Sequence, residues 1–201
     1  MSSNFCITAR TGSPNVYSFW HLDARLSTLT GVGNAALLNE PLTAFFASRT
    51  CPGSAIRAAM DWAVAEARSG RTIIGGFHSP LERSVLEVLL AAHGRVVIGL
   101  ARDVGMALLP SAWRQAALNG EIAVVSVTPD VKRLTGTLAR LRNDWVCKLA
   151  ASTVIAYAQP GGQLEIDATR WRDEGRKTDK GWRRKKLVSM AVSAKMPRLQ
   201  P

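Results

Sequence analysis

The 201-residue sequence has few of the residues that build disulfides and metal centres. Its three cysteines, Cys6, Cys51 and Cys147, are far apart, form no Cys-x-x-Cys pair and have no histidine pair nearby. An odd number of scattered cysteines excludes a disulfide framework and does not indicate a zinc site. We therefore predict reduced thiols, no bound metal and no resident cofactor.

Long apolar runs are also missing. No stretch reaches the roughly eighteen apolar residues that a membrane helix needs, and the opening MSSNFCITARTG lacks the apolar centre of a signal peptide. We expect a cytoplasmic protein with no membrane partner.

Acidic residues are scarce, with 15 Asp and Glu against 26 Lys and Arg, for a net charge of +11. Residues 163–201 hold 11 of the basic and 5 of the acidic residues, a net charge of +6. Such an excess predicts a polyanionic partner. With 47% hydrophobic residues, the chain suits one domain with an appendage. We predict an N-terminal lead-in with short helices at 1–40, a Rossmann-like domain at 41–162 and a basic extension at 163–201.

The clearest local signal is a strand that enters a helix through a glycine turn. Residues 72–74 are a short β-branched run, and Gly75 and Gly76 end it. Ser79 is placed as a helix N-cap, with Glu82 where a capping-box carboxylate would lie. A strand, two glycines and a helix start can bring backbone N–H groups to a phosphate. The glycines could equally serve only a tight turn.

Strand and helix patterns alternate along the remaining chain. Apolar runs predict further strands, apolar residues three and four apart predict helices, and Arg140 and Arg142 are expected on an outward helix face. This order predicts an α/β fold, a Rossmann-like parallel sheet with helices on both faces, whose ligands bind at the carboxyl ends of the strands. The predicted strands are 42–48, 95–101, 121–127 and 153–158, and the predicted helices are 22–29, 34–39, 54–68, 110–119 and 134–150.

Several segments resemble, in order, those of the DprA/Smf family of DNA-processing proteins. The family's Gly-Ser-Arg motif is matched by Ser48 and Arg49, and its glycine-rich turn by residues 75–79. Its Ser-Glu motif is matched by Ser126 and its Arg-Asn-Arg motif by Arg142-Asn143, although Ala47, Val127 and Asp144 depart from the pattern. The chain looks like a divergent member over residues 30–162.

The resemblance implies a Rossmann-like domain that binds single-stranded DNA without sequence preference, loads a RecA-like recombinase during natural transformation and forms a homodimer. The related LOG-type nucleotide phosphoribohydrolases have a Pro-Gly-Gly-x-Gly-Thr loop, which Pro160, Gly161 and Gly162 begin, but Gln163 and Leu164 do not continue.

The candidate site gathers phosphate-binding and base-binding roles. Arg49 and Arg142 would pair with phosphates, and glycine backbone with the Ser79 amides would add N–H donors. His78 and Asn143 would contact sugar, phosphate or base, and the Phe77 ring would stack on a base. In the alternative interpretation, Arg142 and Asn143 are a solvated helix face and Phe77 is a core residue. The full candidate set is Ser48, Arg49, Gly75, Gly76, Phe77, His78, Ser79, Arg142, Asn143, Gly161 and Gly162.

The C-terminal extension mixes basic residues with Trp171 and Trp182, a composition typical of a nucleic-acid-binding arm or of a merely solvated segment. We expect a strand at 163–166 and a helix at 182–192, a continuation unlike that of the resembling families. The basic candidates are Arg170, Arg172, Arg176, Lys177, Arg183, Arg184, Lys185 and Lys186.

Three functions remain open from the sequence. The first is binding of single-stranded nucleic acid, which the charge favours. The second is hydrolysis of a nucleoside monophosphate with Glu82 or Glu165 as the catalytic carboxylate. The third is a nucleotide-sensing or scaffold domain, because fold does not fix function.

Overall fold

The computed structural model describes residues 7–10, 19–24, 27–126, 131 and 135–180. Within these residues, nine strands form one sheet, and five α-helices pack on it. The strands are β1 (Ile7–Arg10), β2 (Phe19–Ala24), β3 (Ser27–Gly33), β4 (Leu42–Ala47), β5 (Thr72–Gly75), β6 (Val96–Leu100), β7 (Ile122–Ser126), β8 (Ser152–Tyr157) and β9 (Thr178–Lys180). The helices are α1 (Gly53–Ser69), α2 (Pro80–Ala91), α3 (Ser111–Leu118), α4 (Gly136–Leu149) and α5 (Gln163–Asp173).

The sheet order is β1-β2-β3-β7-β6-β5-β4-β8-β9. The six strands from β7 to β9 in this order are mutually parallel, whereas β3 pairs antiparallel with β7 and extends into an antiparallel hairpin. The α/β fold predicted from the sequence is confirmed. Because the parallel strands all run the same way, their carboxyl ends share one edge of the sheet.

Two apolar cores lie on opposite faces of the sheet. Successive residues of a strand point to opposite faces, so Phe45 packs with α1 to α3 whereas Phe46 packs with α4 and α5. The strands β5, β6 and β7 are almost entirely buried, as expected of parallel strands covered by helices on both sides. Each strand therefore ends at a fixed place over which the site can be built.

The N-terminal region differs from the sequence-based prediction. Within the helix predicted at 22–29, residues 22–24 and 27–29 belong to the antiparallel strands β2 and β3, in which Leu22 lies directly opposite Leu29. The predicted helix is therefore wrong, because the leucines on which it was based form a cross-strand pair. Residues 34–39 are correctly predicted as a helical turn, a 3₁₀ helix that the Asn34 side chain caps.

The region after β8 also differs. Residues 163–166, predicted as a strand, form the first turn of α5, and β9 then pairs parallel with β8. The prediction that the chain departs here from a helix and a further strand was therefore wrong. Trp171, predicted to belong to a nucleic-acid-binding arm, is fully buried, and its ring lies 5.0 Å from that of Phe46. The helix predicted at 182–192 falls outside the described residues.

The inward face of α4 was predicted incorrectly. Arg142 is only 4% exposed, whereas Leu141 and Leu149 lie on the exposed side. Val146 and Cys147 fill the inner face with Arg142. Arg142 can take this place because Gly76, directly after β5, leaves room for its guanidinium, as the geometry of the site shows below. No helix among the described residues is long and apolar enough to cross a membrane.

Trp171→Ala should lower the free energy of unfolding by about 3 to 5 kcal/mol, since it removes a large buried ring and leaves a cavity. Ile166→Ala, at an exposed position of the same helix, should change it by less than about 0.5 kcal/mol. Urea denaturation of both variants measures the difference. A small effect at Trp171 would show that α5 does not close the second core.

Candidate nucleic-acid interface

The carboxyl edge of the parallel strands brings together most of the residues predicted for the site. Ser48 and Arg49 follow β4, and the turn 76–79 follows β5. Gln159 follows β8, and its backbone N–H donates to Ser48 Oγ at 2.9 Å. This bond holds the loop carrying Gly161 and Gly162 beside Ser48.

The Glu82 carboxylate lies inside this edge and is 7% exposed. Its Oε1 accepts the N–H of Ala47 at 3.0 Å, and its Oε2 accepts those of His78 at 2.7 Å and Ser79 at 3.1 Å. Ser79 Oγ in turn accepts the Glu82 N–H, so the predicted capping box is present. The Ser79 amide predicted to bind phosphate is thus already occupied. The negative charge at the start of α2 is part of the chain itself.

Gly76 is required by the guanidinium of Arg142. A Cβ on Gly76 would lie 2.0 Å from Arg142 Cζ, so any side chain there would displace the arginine. On β6, a Cβ on Gly99 would lie 3.4 Å from Arg142 Cδ, which is close to an ordinary contact distance. The room for the guanidinium therefore comes from Gly76. Gly76 was predicted to admit a phosphate, and the structure places a guanidinium there.

The partners of Arg142 are neutral oxygens. Its Nη1 donates to the Gly99 carbonyl at 3.1 Å, and its Nε donates to Asn143 Oδ1 at 2.8 Å. Desolvation by burial lowers the pKa of Arg142, and the charge of Glu82 opposes this effect. Because Nε and Nη1 have partners within the fold, the solvated helix face considered for Arg142 is excluded. The bidentate phosphate contact predicted for it would require Nη2.

His78 stands exposed among four arginines. Its pKa is lowered by desolvation and then by the positive charges of Arg142, Arg83, Arg49 and Arg102. Among the described residues, no carboxylate lies within ion-pair distance of the last three arginines. The four arginines thus create a positive field at the edge of the sheet, which the buried carboxylate of Glu82 offsets in part.

Arg83 and Arg102 are missed by the sequence-based prediction. Arg102 follows β6 and could have been found by the same strand-end rule that identified Arg49. Arg83 lies in the first turn of α2, immediately after the capping glutamate. A basic residue at the start of a helix interacts unfavourably with the helix dipole. This unfavourable placement is the feature of the sequence that could have indicated a functional role for Arg83.

Phe77 does not present its ring to a ligand. It is 3% exposed and belongs to the core under α1 and α2. Its backbone has φ 47°, an uncommon value for a bulky residue, and this conformation turns the ring inward toward buried Gly75. The base-stacking role predicted for Phe77 is therefore not available in this structure, and the alternative of a core residue is confirmed.

The loop after β8 satisfies its own polar groups. Glu165 Oε2 accepts the Gly161 N–H at 2.8 Å, and Gly162 forms the N-cap of α5 without a side-chain cap. Glu165 and Glu82, the two carboxylates considered for hydrolysis, are both bound to backbone amides. The described residues include no cluster of three His, Cys, Asp or Glu side chains that could hold a metal.

The described part of the basic extension is largely neutralised. Arg170 pairs with Asp144, Asp167 and Glu174, and Arg176 pairs with Glu174. Residues 163–180 contain five basic and five acidic residues, so the net charge of +6 counted for 163–201 lies entirely in 181–201. Arg172 is half-buried and Lys177 is exposed. The remaining candidates, Arg183, Arg184, Lys185 and Lys186, lie outside the described residues.

The fold resembles two solved DprA structures. DNA processing protein A from Streptococcus pneumoniae superposes with a TM-score of 0.63 at 20% identity, over 75% of this chain and 53% of that one. DNA processing protein A from Helicobacter pylori, described for its single-stranded DNA binding mode, gives 0.65 at 18% identity, over 89% and 81%. This chain has the DprA fold.

The chain spans about half the length of the Streptococcus protein. Its sequence matches no protein-family model and no curated protein. The resemblance seen in the sequence is thus confirmed as a shared DprA-like architecture.

Glu82→Gln should destabilise the fold by about 1 to 3 kcal/mol, because one amide oxygen cannot accept all three N–H groups and the new NH₂ faces donors. Glu87→Gln is the matched control, since Glu87 is an exposed acid on the same helix. Chemical denaturation compares the two. Equal stabilities would show that the amides do not depend on the carboxylate.

Proposed function

We propose that this chain binds single-stranded DNA along the carboxyl edge of its parallel sheet. The observation that carries the proposal is the group of Arg49, Arg83, Arg102 and Arg142 around His78, in which Arg49, Arg83 and Arg102 form no ion pair with another described residue. Phosphodiesters are the natural counter-ions of such a group, and guanidinium geometry suits them. The DprA fold and the described DNA binding of the Helicobacter protein support the same ligand.

The accessible arginines and the buried arginine contribute differently to the proposed DNA binding. Arg49 and Arg83 are exposed and Arg102 is half-buried, so all three are available to a DNA strand. Arg142 is buried and adds mainly charge from below. Since the α2 amides are occupied by Glu82, the phosphates are held by side chains. Such binding depends strongly on salt and weakly on base sequence.

We propose further that residues 181–201 form a basic arm for the same strand, since they carry six basic and no acidic residues. By analogy with the DprA-like fold, we also propose a wider role in DNA processing in the cytoplasm, with uptake or protection of single strands in natural transformation, delivery to a RecA-like recombinase and action as a homodimer. Hydrolysis of a nucleotide is not proposed, because Glu82 and Glu165 are held by backbone amides.

Arg49→Gln and Arg102→Gln should each weaken binding of a labelled oligo-dT about tenfold at moderate salt and reduce the salt slope by about 0.7, the value for one lost phosphate contact on a single strand. Arg68→Gln is the control, because this exposed arginine lies at the opposite end of α1, away from the edge. Fluorescence anisotropy at several salt concentrations measures both effects. If a labelled nucleotide bound while oligo-dT did not, the nucleotide-sensing interpretation would replace this one.

Removing residues 181–201 should weaken oligo-dT binding and flatten its salt dependence, because six positive charges are lost. The cut leaves α5 and β9 in place, whereas a cut at 168 would remove buried Trp171. The thermal transition of the truncated chain should match that of the full chain, which serves as the control. Unchanged affinity and slope would show that the arm takes no part in binding.

A further inference from the structure

A cleft of about 930 Å³ opens between α2 and α3, beside the arginine cluster. Its walls include Leu86 and Leu90 of α2 and Trp113 of α3. The loop before α3 adds Leu109 and also Leu108, whose side chain is 93% exposed. A cavity of this size and composition falls within the range of small-molecule sites.

The two ends of the cleft carry opposite charge. At the end toward the carboxyl edge it is lined by Arg102, His78 and the buried Arg142. At the other end it is lined by Glu121, whose carboxylate contacts His93 Nδ1 at 2.8 Å. The cleft is therefore polarised along its length. An anionic group is favoured at one end and repelled at the other.

Arg142 gives the positive end its strength. It is a buried cation whose Nε and Nη1 donate to neutral oxygens, and it forms no ion pair with another described residue. Glu82, the nearest acid acting on it, is committed to three amides. A desolvated guanidinium lacking a direct counter-ion is costly, and a bound anion would remove that cost.

We propose that the cleft binds a small amphiphilic monoanion, with its single acidic head at Arg102 and Arg142 and its apolar body between α2 and α3. Glu121 at the far end disfavours a second negative group there, so we do not expect a DNA strand to run through the cleft. The volume of about 930 Å³ suits a small molecule.

The ligand would also regulate the site. Its head uses Arg102, Arg142 and His78, which also serve the DNA edge, so bound ligand and strand should compete. This consequence rests on the proposed DNA-binding function, whereas binding of the small molecule does not.

The test uses two fluorescent probes with closely related aromatic bodies, the anionic 8-anilinonaphthalene-1-sulfonate and the neutral N-phenyl-1-naphthylamine. The full chain should bind the sulfonate saturably, one per chain, at least tenfold more tightly than the neutral probe. Arg102→Gln should remove most of that preference. Equal binding of the two probes would contradict the proposed binding of an acidic head at the positive end of the cleft.

Filling the cleft separates this site from nonspecific apolar adsorption. Ala112 lines the cleft, whereas its neighbour Ser111 does not, and both positions are exposed. Ala112→Trp should lower sulfonate affinity at least tenfold, while Ser111→Trp should leave it unchanged. The same loss in both variants, or in neither, would contradict the proposal.

Displacement of the sulfonate identifies the class of ligand. Octanoate should displace it, and octanol at the same concentration should not. If only a peptide with an apolar free C-terminus displaced the probe, the site would be a peptide site and the small-molecule proposal would fail. Oligo-dT binding is measured separately, so its failure would not affect the probe result.

Discussion

The site depends on one buried carboxylate. Glu82 accepts the N–H groups of Ala47, His78 and Ser79, and so ties the end of β4 to the turn between β5 and α2. All three donors bind one carboxylate that is almost fully buried, and hydrogen bonds are stronger in such a place than in water. Two neighbouring strand ends are thereby fixed relative to one another, and the side chains that leave them inherit that geometry.

This arrangement changes how the edge of the sheet can bind an anion. In many α/β proteins a phosphate accepts the amides at a helix start after a glycine turn. Here the chain supplies its own anion at that place, and the glycine gives its room to Arg142. In the proposed site, phosphates would therefore contact guanidinium groups and not backbone amides. In the same turn, the Phe77 ring packs into the core and His78 lies outside it, among the arginines.

Features fixed by neighbouring residues could be predicted from the sequence, whereas those fixed by distant contacts could not. The Ser79 capping box and the buried strands are local in origin, and their patterns were sufficient. The burial of Arg142 depends on Gly76, far away in the chain, because a Cβ on Gly76 would occupy the place of the guanidinium. The helix predicted around Leu22 and Leu29 was wrong for the same reason, because the spacing of two residues that pair across strands also fits a helix.

Net charge predicts a polyanionic partner but does not predict where in the fold the unpaired charge lies. Residues 163–180 are as acidic as they are basic, and Arg170 of α5 pairs with Asp144 of α4. Arg49, Arg83 and Arg102, which form no ion pair with another described residue, lie instead around the strand ends and are separated by many residues in the sequence. Arginines that are far apart in the sequence form one positive patch only because the parallel β-strands end at the same edge of the sheet. The topology of the sheet therefore creates the positive surface that a DNA strand would contact.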